Sequence, residues 1–95
     1  MTRHLRTAIQ VIAFAQRLAP EQRRAVKRAL QELRQERGDL RALEGVLAGY
    51  YRLRVGKFRL IFAYVPDGSI EVIFMEERSL VYEVFEAEFV KRLKS

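Results

Sequence analysis

The sequence predicts an α+β protein in which an N-terminal helical hairpin packs on a three- to four-stranded, mainly antiparallel sheet, with a C-terminal helix closing the fold. Three observations predict this class. Apolar residues follow helical spacing in the first half of the chain, they alternate with other residues from residue 50 onward, and turn signals separate the alternating runs. The 95 residues contain no repeat or linker, so residues 1–95 are expected to form one domain.

Two helices are predicted before the sheet. The buried face of the first is expected to comprise Leu5, Ala8, Ile9, Val11, Ile12, Ala15 and Leu18. Pro20 ends this helix and suits the first turn of the next, where a missing N–H costs nothing. The stripe of the second helix is Ala25, Val26, Ala29, Leu30 and Leu33. Gly38 is its expected cap, and Thr2 to Leu5 offers a short strand ahead of both helices.

Three strands and a last helix follow. Gly56-Lys57 has glycine first, as a type II′ hairpin turn requires, and Pro66 to Ser69 form a second turn. The predicted strands are 50–55, 58–65 and 70–75, and the closing helix is 81–94.

Turn lengths fix the expected strand register. The first turn pairs Arg54 with Arg59, and a four-residue second turn pairs Val65 with Ile70 and so Arg59 with Glu76. One sheet face should then pack on the helices, and it comprises Tyr51, Leu53, Val55, Phe58, Leu60, Phe62, Tyr64, Ile73 and Met75. The opposite face has an apolar end of Ile61, Ala63, Val65, Ile70, Val72 and Phe74, and a polar end of Arg52, Arg54, Arg59, Glu76 and Arg78.

The polar end has the character of an anion site. Like charges directly opposite each other destabilise a sheet, so stability alone does not explain Arg54 facing Arg59 with Arg52 beside them. The alternative is an ordinary solvated face on which Glu76 neutralises Arg59. The apolar end requires a cover, because a sheet seldom exposes such a patch. The C-terminal segment, a second copy of the chain or a partner helix could provide it.

Composition narrows the function classes. The net charge of +6 and a pI near 10.2 suit a polyanionic partner, either a nucleic acid or an acidic protein. The absence of cysteine excludes disulfides and thiolate metal sites, and it favours the cytoplasm. No apolar run reaches membrane-spanning length. His4 is the only histidine and there is no Ser/His/Asp arrangement, so neither a metal nor a cofactor is expected.

Two stretches carry a family resemblance. Leu43-Glu44-Gly45 followed by residues 49–62 (GYYRLRVGKFRLIF), and the later segment 77–82 (ERSLVY), resemble the RelE/ParE superfamily of toxins from type II toxin–antitoxin systems. The resemblance implies one of two activities. Members of the RelE branch cut messenger RNA on the ribosome without a metal ion, and members of the ParE branch poison DNA gyrase.

The resemblance also implies roles for five residues. Arg52 and Arg54 fall where the family has basic residues that bind the RNA backbone and assist proton transfer. Arg59 falls where the family has an arginine that holds the scissile phosphate. Arg78 lies near the position of a late catalytic arginine, and Tyr82 lies near that of a tyrosine that stacks on a base. The chain departs from the pattern in Met75-Glu76-Glu77-Arg78, where many relatives have basic residues or histidine. Arginine is a poor general base because it keeps its proton, which leaves Glu76 as a possible base or as a group that repels RNA.

The expected function is therefore that of a toxin that cleaves ribosome-bound mRNA and inhibits translation. Its expected partners are the mRNA and an acidic antitoxin bound by helix-in-groove or strand-addition contacts. The alternatives are a ParE-type gyrase inhibitor and a catalytically silent relative that binds only an antitoxin.

Overall fold

The computed structural model of the chain describes residues 2–78 and 80–94, with side chains up to residue 88. It confirms the α+β class. The elements in chain order are β1 (Leu5–Thr7), α1 (Ile9–Gln16), α2 (Pro20–Leu33), β2 (Asp39–Ala42), a 3₁₀ turn (Gly45–Leu47), β3 (Tyr51–Val55), β4 (Phe58–Tyr64), β5 (Ile70–Glu77) and α3 (Val81–Lys94).

The sheet has five strands rather than the three or four predicted, in the order β1-β5-β4-β3-β2. β1 pairs with β5 in parallel, and the other neighbours are antiparallel. The β3–β4 register is as predicted, with Arg54 opposite Arg59. In the connecting turn, Gly56 has φ +57° while Lys57 has a negative φ, as expected of a type II′ turn.

Helices cover both faces of the sheet. Residues of α1 and α2 form the larger core with one face, around the fully buried Leu33, Leu53, Leu60 and Phe62. On the other face, Val81 and Phe85 of α3 cover Ile61 and Phe74. The C-terminal helix is therefore the cover that the apolar end of this face required.

The predicted buried face of α1 is wrong at two positions. Ile9 is 84% exposed and Ile12 47% exposed, whereas Val11 is buried and Phe14 packs against the core. The reason lies ahead of the helix: Leu5 belongs to β1, and the Ala8 N–H donates to the Val72 carbonyl. This pairing sets the rotation of α1. Ala25 of α2 is likewise exposed.

The predicted start of the β4–β5 register is also wrong. Ile70 pairs with Tyr64 rather than Val65, and an irregularity beside Phe62 restores the predicted pairs Ile61–Phe74 and Arg59–Glu76. Ile73 is the extra residue of this β-bulge. Ile70 and Val72 consequently join the core under α1 and α2, and Ile73 lies with the α3 core, opposite to the predicted faces.

The end of α2 differs from the prediction as well. The helix ends at Leu33, and Glu36 rather than Gly38 takes the left-handed conformation of its cap, with φ +57°. The Glu36 N–H donates to the Leu33 carbonyl and the Arg37 N–H to the Glu32 carbonyl, which is a Schellman arrangement. The chain then enters β2, which the sequence pattern did not reveal.

Candidate functional site

The arginines predicted to form an anion site lie on the sheet face that α3 partly covers. Strand register places them in two cross-strand rows. One row is Asp39, Arg54, Arg59 and Glu76; the other is Arg41, Arg52, Ile61 and Phe74. Side chains of directly paired residues point to the same face of a sheet. The structure therefore brings Arg52, Arg54 and Arg59 together on one face.

Arg52 and Arg54 share a carboxylate. Arg52 Nη2 donates to Asp39 Oδ1 at 3.1 Å, and Arg54 Nη1 lies 3.9 Å from Asp39 Oδ2. The Arg52 side chain is only 13% exposed, whereas that of Arg54 is 51% exposed. Arg54 is thus the more accessible cation of the two, and Asp39 holds both guanidinium groups on the same side of the sheet.

Arg59 is the buried member of the cluster, with 8% of its surface exposed. Its Nη1 donates to the carbonyls of Gly56 and Phe58, both at 2.9 Å, so the side chain also fixes the β3–β4 turn. Although Glu76 is its register partner, these two described residues form no ion pair. The simple neutralisation of Arg59 by Glu76 is therefore not what the structure has.

Arg78 and Tyr82 are the remaining two of the five predicted site residues. The Arg78 N–H donates to the Lys57 carbonyl at 2.8 Å, which anchors the residue beside the β3–β4 turn. Tyr82 lies in the first turn of α3 and is 38% exposed. Both residues lie close enough to act on the charge of Arg59.

The pKa of Arg59 reflects the charges of the whole cluster. Burial lowers the pKa of its guanidinium below the ordinary value, and the neighbouring charges of Arg54, Arg52 and Arg78 lower it further, while Tyr82 acts in the opposite direction. All five residues predicted from the sequence therefore belong to one electrostatic neighbourhood. Concentrated positive charge of this kind favours an anion.

Two functional candidates escaped the sequence pattern because they lie on β2. Asp39 and Arg41 face the arginine cluster, and Asp39 pairs with Arg54 and Arg41 with Arg52. The segment Asp39-Leu40-Arg41-Ala42 offers a single large apolar residue, which gives little sign of a strand. The one sequence signal for this strand was that the polar residues Asp39 and Arg41 alternate with the apolar Leu40.

The described residues offer neither a metal-ligand cluster nor a helix that could span a membrane. No group of three or more His, Asp or Glu side chains there is placed to hold a metal ion. None of the helices in this part of the chain combines the length and the hydropathy needed to span a bilayer.

The fold is shared with solved toxin structures. The archaeal RelE–RelB complex from Pyrococcus horikoshii OT3 matches with a TM-score of 0.68 and 26% identity, over 82% of this chain and 97% of that one. The toxin–antitoxin complex RelBE2 from Mycobacterium tuberculosis matches with a TM-score of 0.71 and 22% identity, over 82% of this chain and 100% of that one.

A third match is a YoeB/ParE toxin from Agrobacterium tumefaciens, with a TM-score of 0.66 and 19% identity, over 79% of this chain and 98% of that one. No protein-family model matches the sequence, and no curated protein matches it significantly. The likeness is therefore one of structure, and it extends over nearly the full length of these toxins.

Proposed function

The chain belongs by its fold to the RelE-like toxin superfamily, and on that premise we propose that it is the toxin of a type II toxin–antitoxin pair and cleaves mRNA on the ribosome. The observation that carries the proposal is that strand register places Arg52, Arg54 and the buried Arg59 on one face of the sheet, with Arg78 held beside the β3–β4 turn. Guanidinium groups bind phosphate through paired, charge-assisted hydrogen bonds, so a phosphate group suits such a set.

We assign the proposed role of each arginine from the exposure of its side chain. Arg54 is half exposed and would make the first contact with the RNA phosphate. Arg52 and Arg59 lie deeper and would add positive charge beneath it, where a low dielectric strengthens their effect on a transition state that gains negative charge. Arg78 would close the site from the far side, and the Tyr82 ring would stack on a base.

The proton of the attacking ribose 2′-hydroxyl requires a base that arginine does not supply. Two carboxylates flank the cluster. Asp39 is engaged by Arg52 and Arg54, whereas Glu76 accepts the Glu77 N–H at 3.0 Å and has no ion pair within the described residues. We therefore assign the role of base to Glu76 within this proposal.

The proposed protein partner is an acidic antitoxin. The similar structures from Pyrococcus horikoshii and Mycobacterium tuberculosis are complexes of a toxin with its antitoxin. The net charge of +6 of this chain suits an acidic partner, which would neutralise the arginines when it binds.

Induction of the chain in a bacterial host, followed by primer extension on abundant messages, tests the proposal. We expect growth arrest and cuts in phase with codons, and we expect Arg54→Gln to abolish both. Arg24→Gln is the matched control, because it removes an exposed arginine from α2 with the same change in charge. Growth arrest that Arg24→Gln also abolishes would show that overall charge, and not the site, is responsible.

The same experiment separates the alternatives. The observation that favours a ParE-type binder of gyrase is that this chain lacks the lysines and the histidine that many relatives have at the site. Intact messages together with broken DNA would establish that alternative. Normal growth with soluble, folded protein would instead establish a silent relative.

A further inference from the structure

A groove borders the arginine cluster between β2 and the start of α3. It has a volume of about 220 Å³, and it is lined by Arg41, Ala42, Leu43, Glu44 and Tyr82. Arg41, Ala42 and Glu44 are exposed and Tyr82 is 38% exposed, so the groove opens to solvent. It therefore presents a cation, a carboxylate and an aromatic ring to a ligand.

The groove is continuous with the arginine cluster. Arg41 is the register partner of Arg52, one strand away, a spacing of about 5 Å. At the other end, Tyr82 lies close enough to act on the charge of Arg59. A nucleic-acid strand with one phosphate on the cluster would therefore place a neighbouring nucleotide at the groove.

Backbone hydrogen bonds fix the side of the groove that includes Leu43 and Glu44. The Leu43 N–H donates to the Tyr50 carbonyl at 2.9 Å, and the Glu44 carbonyl accepts the Leu47 N–H at 3.2 Å. Leu43 also packs into the core that α3 covers. The backbone that carries Glu44 is thus held in place, and Glu44 lines the same groove as Tyr82.

We propose that this groove is a nucleobase subsite in which Glu44 selects a base with an exocyclic amino group, and guanine above the others. The inference rests on the proposed action on RNA. Tyr82 stacks on the base, and Arg41 binds the adjoining phosphate.

The hydrogen-bonding chemistry of a carboxylate gives the order of preference. An ionised carboxylate only accepts hydrogen bonds, through two oxygens. The Watson–Crick edge of guanine offers two adjacent donors, N1–H and the amino group, and single-stranded RNA leaves that edge free to be read. Cytosine and adenine offer their amino group beside an acceptor, while uracil offers one N–H between two carbonyls. Uracil is therefore the base that Glu44 disfavours.

Binding of short RNAs to the full chain tests this inference. The probes are fluorescein-labelled hexamers with 2′-O-methyl groups, which block cleavage: one of uridine alone, and three with a single central G, C or A. Fluorescence anisotropy gives each Kd. We expect the G-containing hexamer to bind about fivefold more tightly than the uridine hexamer, the lower end of discrimination by a two-point contact to a base.

Two variants identify the source of the preference. We expect Glu44→Gln to bring the ratio of the two Kd values close to one, because the amide also donates to the carbonyls of uracil. Glu77→Gln removes an exposed carboxylate of β5 with the same change in charge, and it should keep the fivefold ratio. An equal gain in affinity for all four hexamers in both variants would show that Glu44 acts only through its charge, and it would overturn the subsite.

The outcomes also distinguish this inference from the proposed function. Hexamers that bind with equal affinity and are weakened by Arg54→Gln would overturn the base preference alone. A failure of every hexamer to bind would overturn the subsite, while codon-phased cuts in cells would still support the proposed nuclease.

Discussion

Asp39 organises the most accessible part of the arginine cluster. Its carboxylate contacts Arg52 at 3.1 Å and lies 3.9 Å from Arg54, and its own side chain is 52% exposed. Ion pairs with this exposure contribute little to folding stability. The carboxylate nevertheless engages N–H groups of both arginines that a phosphate would use, so it would compete with the proposed ligand.

Replacement of Asp39 by asparagine should therefore strengthen the binding of single-stranded RNA. We expect the Kd to fall about two- to fivefold, which corresponds to the loss of one exposed ion pair. Fluorescence anisotropy with a labelled RNA hexamer measures this effect. Glu77→Gln is the control for charge, because Glu77 pairs with Lys57 at 3.7 Å instead. Weaker binding by Asp39→Asn would mean that Asp39 serves mainly to orient Arg52 and Arg54.

The sequence predicted the members of the cluster better than their environments. Arg52, Arg54 and Arg59 follow from hairpin register, which is a local property of residues 51–62. The burial of Arg59 does not follow from it, because register fixes the face on which the side chain lies but not how the side chain folds back onto the carbonyls of Gly56 and Phe58. Asp39 was not predicted as a member because its strand has almost no apolar pattern.

Gln10 of α1 continues the edge of the sheet beyond the point where β1 ends. Its Nε2 donates to the Met75 carbonyl at 2.8 Å, and its Oε1 accepts the Met75 N–H at 2.9 Å. The side-chain amide thus takes the place of a peptide group beside β5. Without it, both backbone groups of Met75 would lose their partner on that side.

Gln10→Leu should destabilise the fold by about 1 to 3 kcal/mol, because it leaves a donor and an acceptor unpaired in a partly buried position. Urea denaturation followed by circular dichroism measures the difference. Gln16→Leu, at an exposed position of the same helix, should change stability by no more than about 0.5 kcal/mol. Equal losses in the two variants would refute a specific role for the amide.

Elements with local signals were predicted well, and elements set by distant contacts were not. The Gly56-Lys57 turn and the alternation around it fixed β3 and β4, and the apolar pattern after residue 80 fixed α3. The orientation of α1 depends on pairing with Val72 and Met75, more than 60 residues away. No periodicity within α1 itself carries that information.

A polar clasp joins three distant parts of the molecule. Arg3 Nε lies 3.1 Å from Glu36 Oε2, Arg3 Nη1 donates to the Gly68 carbonyl at 2.7 Å, and the Tyr64 hydroxyl donates to Glu36 Oε1 at 2.9 Å. The Arg3 guanidinium also lies 5.2 Å from the centre of the Tyr64 ring. The clasp thereby ties the N-terminal segment and the end of α2 to the β4–β5 turn.

The clasp should make stability depend on pH through Glu36. The hydrogen bond from the Tyr64 hydroxyl, and then the ion pair with Arg3, hold the pKa of the Glu36 carboxyl below its ordinary value of 4.5. A carboxyl whose pKa is lower in the folded state stabilises the protein above the unfolded pKa, and this contribution is lost as the pH falls through the folded pKa. Thermal unfolding should show a Tm advantage of the wild type over Glu36→Gln at pH 7 that shrinks below about pH 4.5.

Glu32→Gln is the control for this measurement, since it removes an exposed carboxylate from the last turn of α2. A Tm difference between the wild type and Glu36→Gln that stays constant from pH 7 to pH 3 would exclude the clasp as the source of the effect.

The β-bulge at Ile73 has a consequence for how the molecule tolerates change in length. Before the bulge, Ile70 and Val72 point toward α1 and α2; beyond it, Phe74 and Glu76 point toward α3 and the arginines, although all four positions are even-numbered. One inserted residue thus reverses the parity of the strand halfway along. Deleting Ile73 would join Val72 directly to Phe74, opposite the consecutive residues Phe62 and Ile61, so both halves of β5 would keep their present faces and only the contact of Ile73 with the α3 core would be lost. At this position, therefore, β5 can lose a residue without turning either half of the strand over.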